Sequence, residues 1–493
     1  VIILRVAFFN PQGNFDSKDS YWTTHPDFGG QLVYVKELAI AIASMGVKTD
    51  IITRRIDDDL WPEFSKEIDF YPGVDNLRII RIPFGKRGFV RKEHLWPYIQ
   101  EYCKNTLAFY DSEKVMPNFV TTHYGDGGVA GAIFAKWTGI PYSFTAHSLG
   151  ALKMDKLGVD ESNIPQYDDR FSFTTRIIAE GTAMKHSAVN IVSTSMERFE
   201  QYNHMLYNPY IDVKDDSHFS VIPPGVNTEV FNPYDSPDDW KVEDRIAALF
   251  ERFSRKDRLE LPMIVSSSRL DEKKNHIGLL NAYVNSNYLR NNTNLIIITS
   301  GVTDPYGRTA TGSSHEHRVL RRLVEVVLKE NLKDRVLFGD IRNQRELASL
   351  YRIAAKRDSV FCLTTLYEPF GLAPLEAMAC GLPAVATKNG GPSESLRDAE
   401  SDYGVLVDPM DTESICKGLL SLLGPEKKDQ LSELRTKAIK RVLSRFTWQS
   451  TAERYLKEIE SRLDREFAKP FIPGWFLGEG ELPDIVLKQE PIL

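Results

Sequence analysis

Met263-Ile264-Val265-Ser266-Ser267-Ser268-Arg269-Leu270-Asp271-Glu272-Lys273-Lys274-Asn275 runs from an apolar stretch into a charged turn and on into a helical pattern. A buried strand reads as a short, unbroken apolar run, and the helix that covers it repeats its apolar residues with a period near 3.6. The same order of strand, polar loop and helix recurs along the chain, and that recurrence decides the fold. After residue 260 the strand candidates are 263–267, 295–299, 336–338, 360–363, 384–387 and 405–407. Before it they are 2–9, 49–53, 77–82, 118–122, 142–146, 190–193 and 219–222. Amphipathic stretches lie between them. In residues 32–45, for example, Leu32, Val35, Leu38, Ala39 and Ile42 share one helical face. Alternating strands and helices imply parallel sheets with helices on both faces. Two such series predict an α/β protein with two doubly wound, Rossmann-like domains facing across a cleft, with ligands at the carboxyl ends of the strands.

Residues 231–261 are rich in charge and carry Pro233 and Pro237, so the connection between the domains is expected there. The predicted division is 1–230, 231–445 and a tail of 446–493. The tail opens on a helical pattern (Trp448, Tyr455, Leu456, Ile459) and turns Pro-rich at Pro470, Pro473 and Pro483. It is expected to pack back on the first domain.

With 493 residues and 42% hydrophobic content, the chain has enough apolar surface for real cores. No apolar run reaches the roughly 18 residues of a membrane span. The apolar opening, residues 1–9, lacks a basic leader and a small-residue cleavage site, so it reads as a strand and not a signal peptide. A net charge of −7 argues against nucleic-acid or anionic-membrane partners. The spacing of Cys103, Cys362, Cys380 and Cys416 matches no metal or redox motif; free, buried thiols in a reducing cytoplasm are expected. An acidic chain that binds anions must gather a few cations in a cleft.

Arg269, at the end of a strand, and Lys274, where the next helix begins, form one candidate pair. A guanidinium and an ammonium together neutralise a departing diphosphate without a general acid. The pair reads equally as a solvated loop, with Asp271 and Glu272 as local partners. Glu368 lies on a loop with Phe370, Gly371 and Leu372, and Glu376 follows eight residues later in a helix opened near Pro374. Amides at such a helix start receive phosphate, and the carboxylates accept sugar or ribose hydroxyls. The two glutamates also fit a glycosidase acid and nucleophile, or two surface residues. Gly29, Gly30 and Gln31 open the first amphipathic helix and read as an anion-binding turn or a plain one. His147 follows a buried strand and fits either a sugar contact or a satisfied core position. Lys92, Lys153 and Arg176 are candidate ligands of an acceptor phosphate, each also a plausible solvated side chain. His123 and Tyr124 follow another strand and fit an acceptor pocket or a turn. Asn389-Gly390-Gly391-Pro392 carries a structural role only.

Taken as a set, these residues resemble the retaining GT-B glycosyltransferases. Glu368 and Glu376 match that family's E-x7-E pattern, and Arg269 with Lys274 its diphosphate-binding pair. His147-Ser148-Leu149-Gly150 with Lys153, the Leu95-Trp96-Pro97 stretch and residues 384–392 resemble the sucrose-phosphate synthase group within it, in a minimal bacterial form. The resemblance implies these roles. Arg269 and Lys274 stabilise the departing diphosphate. Glu376 holds the ribose and Glu368 with Phe370, Gly371 and Leu372 the glucose. Ile341 and Arg342 offer backbone to the uracil. His147 contacts the glucose, and Gly30 and Gln31 lie between donor and acceptor. Tyr124 and Gly29 border the acceptor, and Lys92, Lys153 and Arg176 bind its phosphate. It further implies UDP-glucose as co-substrate, fructose 6-phosphate as acceptor, no tightly bound cofactor and no required metal. Alternatives are another hexosyl transfer to a sugar phosphate, a sucrose synthase and, from another class, a nucleotide-sugar epimerase. Oligomeric state is not legible.

Overall fold

The computed structural model describes residues 4–20, 30–299, 301–302, 304–307, 315–485 and 487. The chain divides into two units, one of residues 1–223 with 451–493 and one of residues 224–450.

The first unit is built on an eight-stranded sheet. Its strands are β1 (Arg5–Phe9), β2 (Lys48–Arg54), β3 (Ile68–Asp69), β4 (Leu77–Ile82), β5 (Phe119–His123), β6 (Tyr142–Thr145), β7 (Val189–Val192) and β8 (Phe219–Val221). The order is β3-β4-β2-β1-β5-β6-β7-β8, and every pairing is parallel except β3 with β4. Val6, Ala7, Phe8 and Phe9 are fully buried, as befits a central strand covered on both faces. The helix Trp448–Leu463 carries Tyr455 into this unit, where its hydroxyl meets Tyr34 at 3.1 Å and Thr145 at 2.9 Å. Beyond the helix, Ile472 and Phe476 are buried and Gln100 donates to the carbonyl of Leu477 at 2.8 Å.

The second unit holds six parallel strands: β9 (Met263–Ser266), β10 (Asn294–Thr299), β11 (Val336–Asp340), β12 (Val360–Leu363), β13 (Ala384–Thr387) and β14 (Val405–Val407). Their order is β11-β10-β9-β12-β13-β14. Neighbouring residues on a strand join different cores. Val265, Ile296, Leu337 and Phe361 point to one, and Ile264, Leu295, Val336 and Val360 to the other. The period-2 alternation of a strand buried on both faces produces that division.

Several expectations shift. Residues 231–261 belong within the second unit. Their helix, Asp239–Phe253, buries Val242, Ile246 and Phe250 together with Asp239 and turns its other charges outward, so charge density there marks an amphipathic helix and not a linker. β3 is a two-residue antiparallel edge strand that no periodicity reveals. β9 ends at Ser266, so Arg269 stands in the loop and not on the strand. The helix bearing Glu376, Leu372–Ala379, starts two residues before Pro374. Cys103, Cys362 and Cys380 are buried and free, but Cys416 is half-buried. Among the described residues no helix is long and apolar enough to cross a membrane.

Residues 225–226 run beside 446–448. Val226 N–H donates to Phe446 at 2.7 Å and pairs as an isolated bridge with Thr447. Gly225 permits the approach, because a Cβ there would lie 2.1 Å from the backbone nitrogen of Trp448. Backbone atoms yield less than side-chain tips, so Gly225→Ala should cost about 3 kcal/mol. The expected result is a lower apparent melting temperature by scanning calorimetry, with the sheet content by circular dichroism unchanged at 20 °C.

Candidate active site

In the second unit, strand order reverses between β9 and β12, and the loops after these two strands carry the expected donor residues. The first loop is fixed from below. Asp271 accepts from Lys273 N–H at 2.9 Å, and Asn275, at φ 52°, caps the helix His276–Asn285. His276 is buried against the loop. Its Nδ1 lies 3.2 Å from Ser266 Oγ, and its Nε2 lies 3.0 Å from Ser268 Oγ and 3.3 Å from the carbonyl of Arg269. Burial pulls the His276 pKa down to about 4, so the imidazole that anchors this cationic loop is neutral. Leu366 N–H donates to Lys273 O at 2.9 Å and ties the two loops together.

Lys274 Nζ lies 2.7 Å from Glu368 Oε2, with both side chains partly exposed. Arg269 is exposed, and its guanidinium makes no hydrogen bond or ion pair among the described residues. Gly390 and Gly391 pin the Glu368 loop. Glu368 N–H donates to Asn389 O at 3.0 Å, and Gly391 N–H donates to Glu368 O at 2.9 Å. A Cβ on Gly390, itself at φ 99°, would fall 2.0 Å from that carbonyl. Gly371, at φ 90°, caps the helix Leu372–Ala379 and leaves the first amides of Leu372 and its neighbours without helical partners. Phe370 packs towards Phe446 at 6.2 Å between centroids.

Glu376, on that helix, makes no side-chain hydrogen bond among the described residues. Burial lifts its carboxyl to about 7. Ile341 and Arg342 follow β11. Arg342 Nη2 is 2.6 Å from Asp340, and its backbone N–H is taken by Glu346 at 3.1 Å. Ile341 lines a cavity of about 230 Å³ with Ile298, Phe338 and Leu249.

In the first unit, β5 and β6 pair with His123 opposite Thr145, so His123 and His147 leave the sheet side by side. Tyr124 and His147 both adopt left-handed backbone, at φ 68° and 59°. Non-glycine residues hold such conformations only where the surroundings enforce them, and such sites cluster at ligand-binding positions. Arg176 is buried, with its guanidinium 4.5 Å from the Tyr124 ring centroid. Its Nε meets Glu180 at 2.7 Å, and its Nη2 donates to Ser148 O at 2.8 Å. Glu180 also accepts from Gly150 N–H at 3.0 Å and from the Tyr207 hydroxyl. The Arg176 charge is therefore largely balanced within the fold.

Lys92 stands 6.0 Å from the Tyr124 centroid, and Lys153 lies 3.9 Å over the Phe171 ring. The Lys153 pKa is lowered by burial and by the nearby charges of Arg176 and Lys92. The three cations thus share one neighbourhood. Gly30 is the exposed first residue of the helix Gly30–Ser44, and Gly29 lies outside the described residues. Gln31 is committed at both ends of its amide, accepting from Gln12 and donating to Asn10 at 3.0 Å each.

Sequence reading missed His276 and Glu180. The first follows directly on Lys274-Asn275, and the second is four residues from Arg176, a spacing that places two helical side chains in contact.

The family model described as sucrose synthase first GT-B domain matches residues 1–249, and that described as glycosyl transferases group 1 matches residues 249–441. A protein of Thermosipho melanesiensis described as probable sucrose-phosphate synthase is 47% identical over 459 residues, covering 93% of this chain and 96% of that protein. The sucrose-phosphate synthase of Spinacia oleracea is 31% identical, covering 91% of this chain and 46% of its own length. The chain thus spans about half of that plant relative. Among solved structures, a sucrose-phosphate synthase from Thermosynechococcus elongatus superposes with a TM-score of 0.64 at 21% identity, over 93% of this chain and 98% of that one. The catalytic domain of Arabidopsis thaliana starch synthase IV, bound to ADP and acarbose, superposes with a TM-score of 0.62 at 14% identity, over 94% and 100%. The shared fold is GT-B.

The raised Glu376 carboxyl makes stability depend on pH. In the unfolded chain the group titrates near the ordinary 4.5, and in the folded one near 7, so its burial favours folding at low pH and the benefit is lost as pH climbs between those values. Glu376→Gln should therefore melt progressively higher relative to the wild type between pH 5 and pH 8. A constant difference across that range would refute the assignment.

Proposed function

This chain belongs to the sucrose-phosphate synthase family of retaining GT-B glycosyltransferases, and we propose that it moves glucose from UDP-glucose to fructose 6-phosphate, giving sucrose 6-phosphate and UDP. The observation that carries this reading is the gathering of Lys92 and Arg176 around Tyr124 with Lys153 close to both charges, in the unit that does not hold Arg269 and Lys274. A hexose phosphate needs such a cluster, and a nucleotide-sugar epimerase does not.

The diphosphate of the donor carries two negative charges, and bond cleavage adds a third to the departing UDP. Arg269 and Lys274 meet them, Arg as a fork and Lys as a point charge, so no proton donor is needed at the leaving oxygen. Lys274 exchanges Glu368 for phosphate at small cost, because a partly exposed ion pair is worth about 1 kcal/mol or less. Glu368 is then free to accept hydroxyls of the glucose. Glu376, which has no side-chain hydrogen-bond partner among the described residues, accepts from the ribose, and the amides after Gly371 face phosphate. His147 contacts the transferred glucose. The acceptor hydroxyl attacks the anomeric carbon on the face that UDP leaves, and a leaving phosphate oxygen takes its proton, so configuration is retained. Arg269 and Lys274 do the electrostatic work for which other enzymes use a metal ion. Four free cysteines suit a reducing cytoplasm.

Pairing UDP-glucose, ADP-glucose and GDP-mannose each with fructose and fructose 6-phosphate tests the assignment. Sucrose 6-phosphate from UDP-glucose and fructose 6-phosphate is the expected principal product. Equal efficiency with unphosphorylated fructose would defeat it. Lys274→Ala should lower kcat by about 100- to 1000-fold, with the melting temperature within a degree or two of the wild type. An unchanged kcat would remove Lys274 from the chemistry.

A further inference from the structure

We propose that His123 is a positioning residue for His147: it occupies the Nε2 of His147 in a hydrogen bond and leaves Nδ1 as the one ring nitrogen that His147 can offer to a sugar. The inference rests on the proposed contact between His147 and the transferred glucose.

His123 Nδ1 and His147 Nε2 are 2.9 Å apart. The other nitrogen of His123, Nε2, lies 3.3 Å from Thr121 Oγ1, which in turn accepts from Ser143 Oγ at 3.0 Å. His123 is fully buried and cannot turn away. Phe8 stacks on it at 5.6 Å with rings 3° from parallel, and His147 stacks at 5.1 Å. The edge of Tyr34 meets His147 at 4.8 Å. The His147 backbone is held just as firmly. Ser148 N–H donates to Ala146 O at 2.6 Å and closes a tight turn about His147 at φ 59°. That turn folds the side chain back towards β5.

Burial keeps both rings neutral, His147 with its pKa lowered to about 3 and His123 also well below the ordinary value. Two neutral imidazoles at hydrogen-bond distance share one proton, so each must adopt a tautomer that suits the other. His147 Nδ1 has no partner among the described residues and is not sealed from solvent. A buried histidine that merely filled the core would not need a second histidine at its Nδ1, nor a strained turn to bring that second ring into place.

His123→Phe keeps the ring volume and the stack but removes the hydrogen bond. His123→Asn restores a polar group near the position of Nδ1. His123→Phe should lower kcat by about 10- to 100-fold, with KM for both substrates within about threefold, because orientation and not affinity is lost. His123→Asn should recover most of that rate. In a His147→Ala background, His123→Phe should cost nothing further. Nitrogen-15 NMR of labelled histidine should show His147 in one tautomer in the wild type and in a mixture in His123→Phe.

An equal further loss in the His147→Ala background, or an unchanged His147 tautomer, overturns the proposal. A structural role alone would lower the melting temperature of His123→Phe while leaving kcat per folded molecule intact, which also overturns it. Full activity of His147→Ala would instead refute the sugar contact on which the inference rests, and the NMR arm would still judge the hydrogen bond between the rings.

Discussion

Parallel strand pairing forces the chain to cross back over a sheet face after every strand, so each loop that follows a strand emerges from the same edge. All five pairings of the second unit and all but one of the first obey it. The chemistry-bearing residues inherit their places from that rule. Arg269 and Lys274 follow β9, Glu368 follows β12, His123 ends β5 with Tyr124 directly after it, and His147 follows β6. β9 and β12 are neighbours in space although 94 residues separate Lys274 from Glu368 in the chain. One backbone bond from Leu366 to Lys273 then suffices to hold their loops in register.

Burial sorts the cations of the chain into two kinds. A charge taken out of water needs an internal counter-charge and full hydrogen bonding, because the penalty for leaving it unpaired runs to several kcal/mol. Arg176 has Glu180, and Arg352 has Asp239 at 2.6 Å. Glu180 and Asp239 fix these guanidiniums in place. Arg269, exposed and without a partner among the described residues, keeps its charge available. Lys153 is intermediate, partly covered by the Phe171 ring, and its pKa is lowered first by burial and then by the nearby charges of Arg176 and Lys92.

Much of this was legible in the chain. The apolar runs mark thirteen of the fourteen strands, all but β3, because both faces of each sheet are covered, which removes polar residues from them. The Arg269, Lys274, Glu368 and Glu376 spacing singles out the proposed donor residues from the sequence alone. What is not legible is long-range pairing. Nothing in the sequence joins His123 to His147, since their proximity arises from the register of β5 with β6. Charge density misleads at residues 231–261, where the outer face of one amphipathic helix reads as a connection. The i,i+4 spacing of Arg176 and Glu180 was open to inspection, yet a candidate phosphate ligand is easily read without its neighbour.

The pair of Lys274 with Glu368 also biases which ligands gain the ammonium. A lone anion, sulfate for instance, gains the ammonium only by stranding a carboxylate. A ligand with an anion at one end and hydroxyl donors at the other rehouses both groups at once. Two opposite charges left in contact thus set a mild preference, about 1 kcal/mol or less, for a molecule that presents both features together over a small ion.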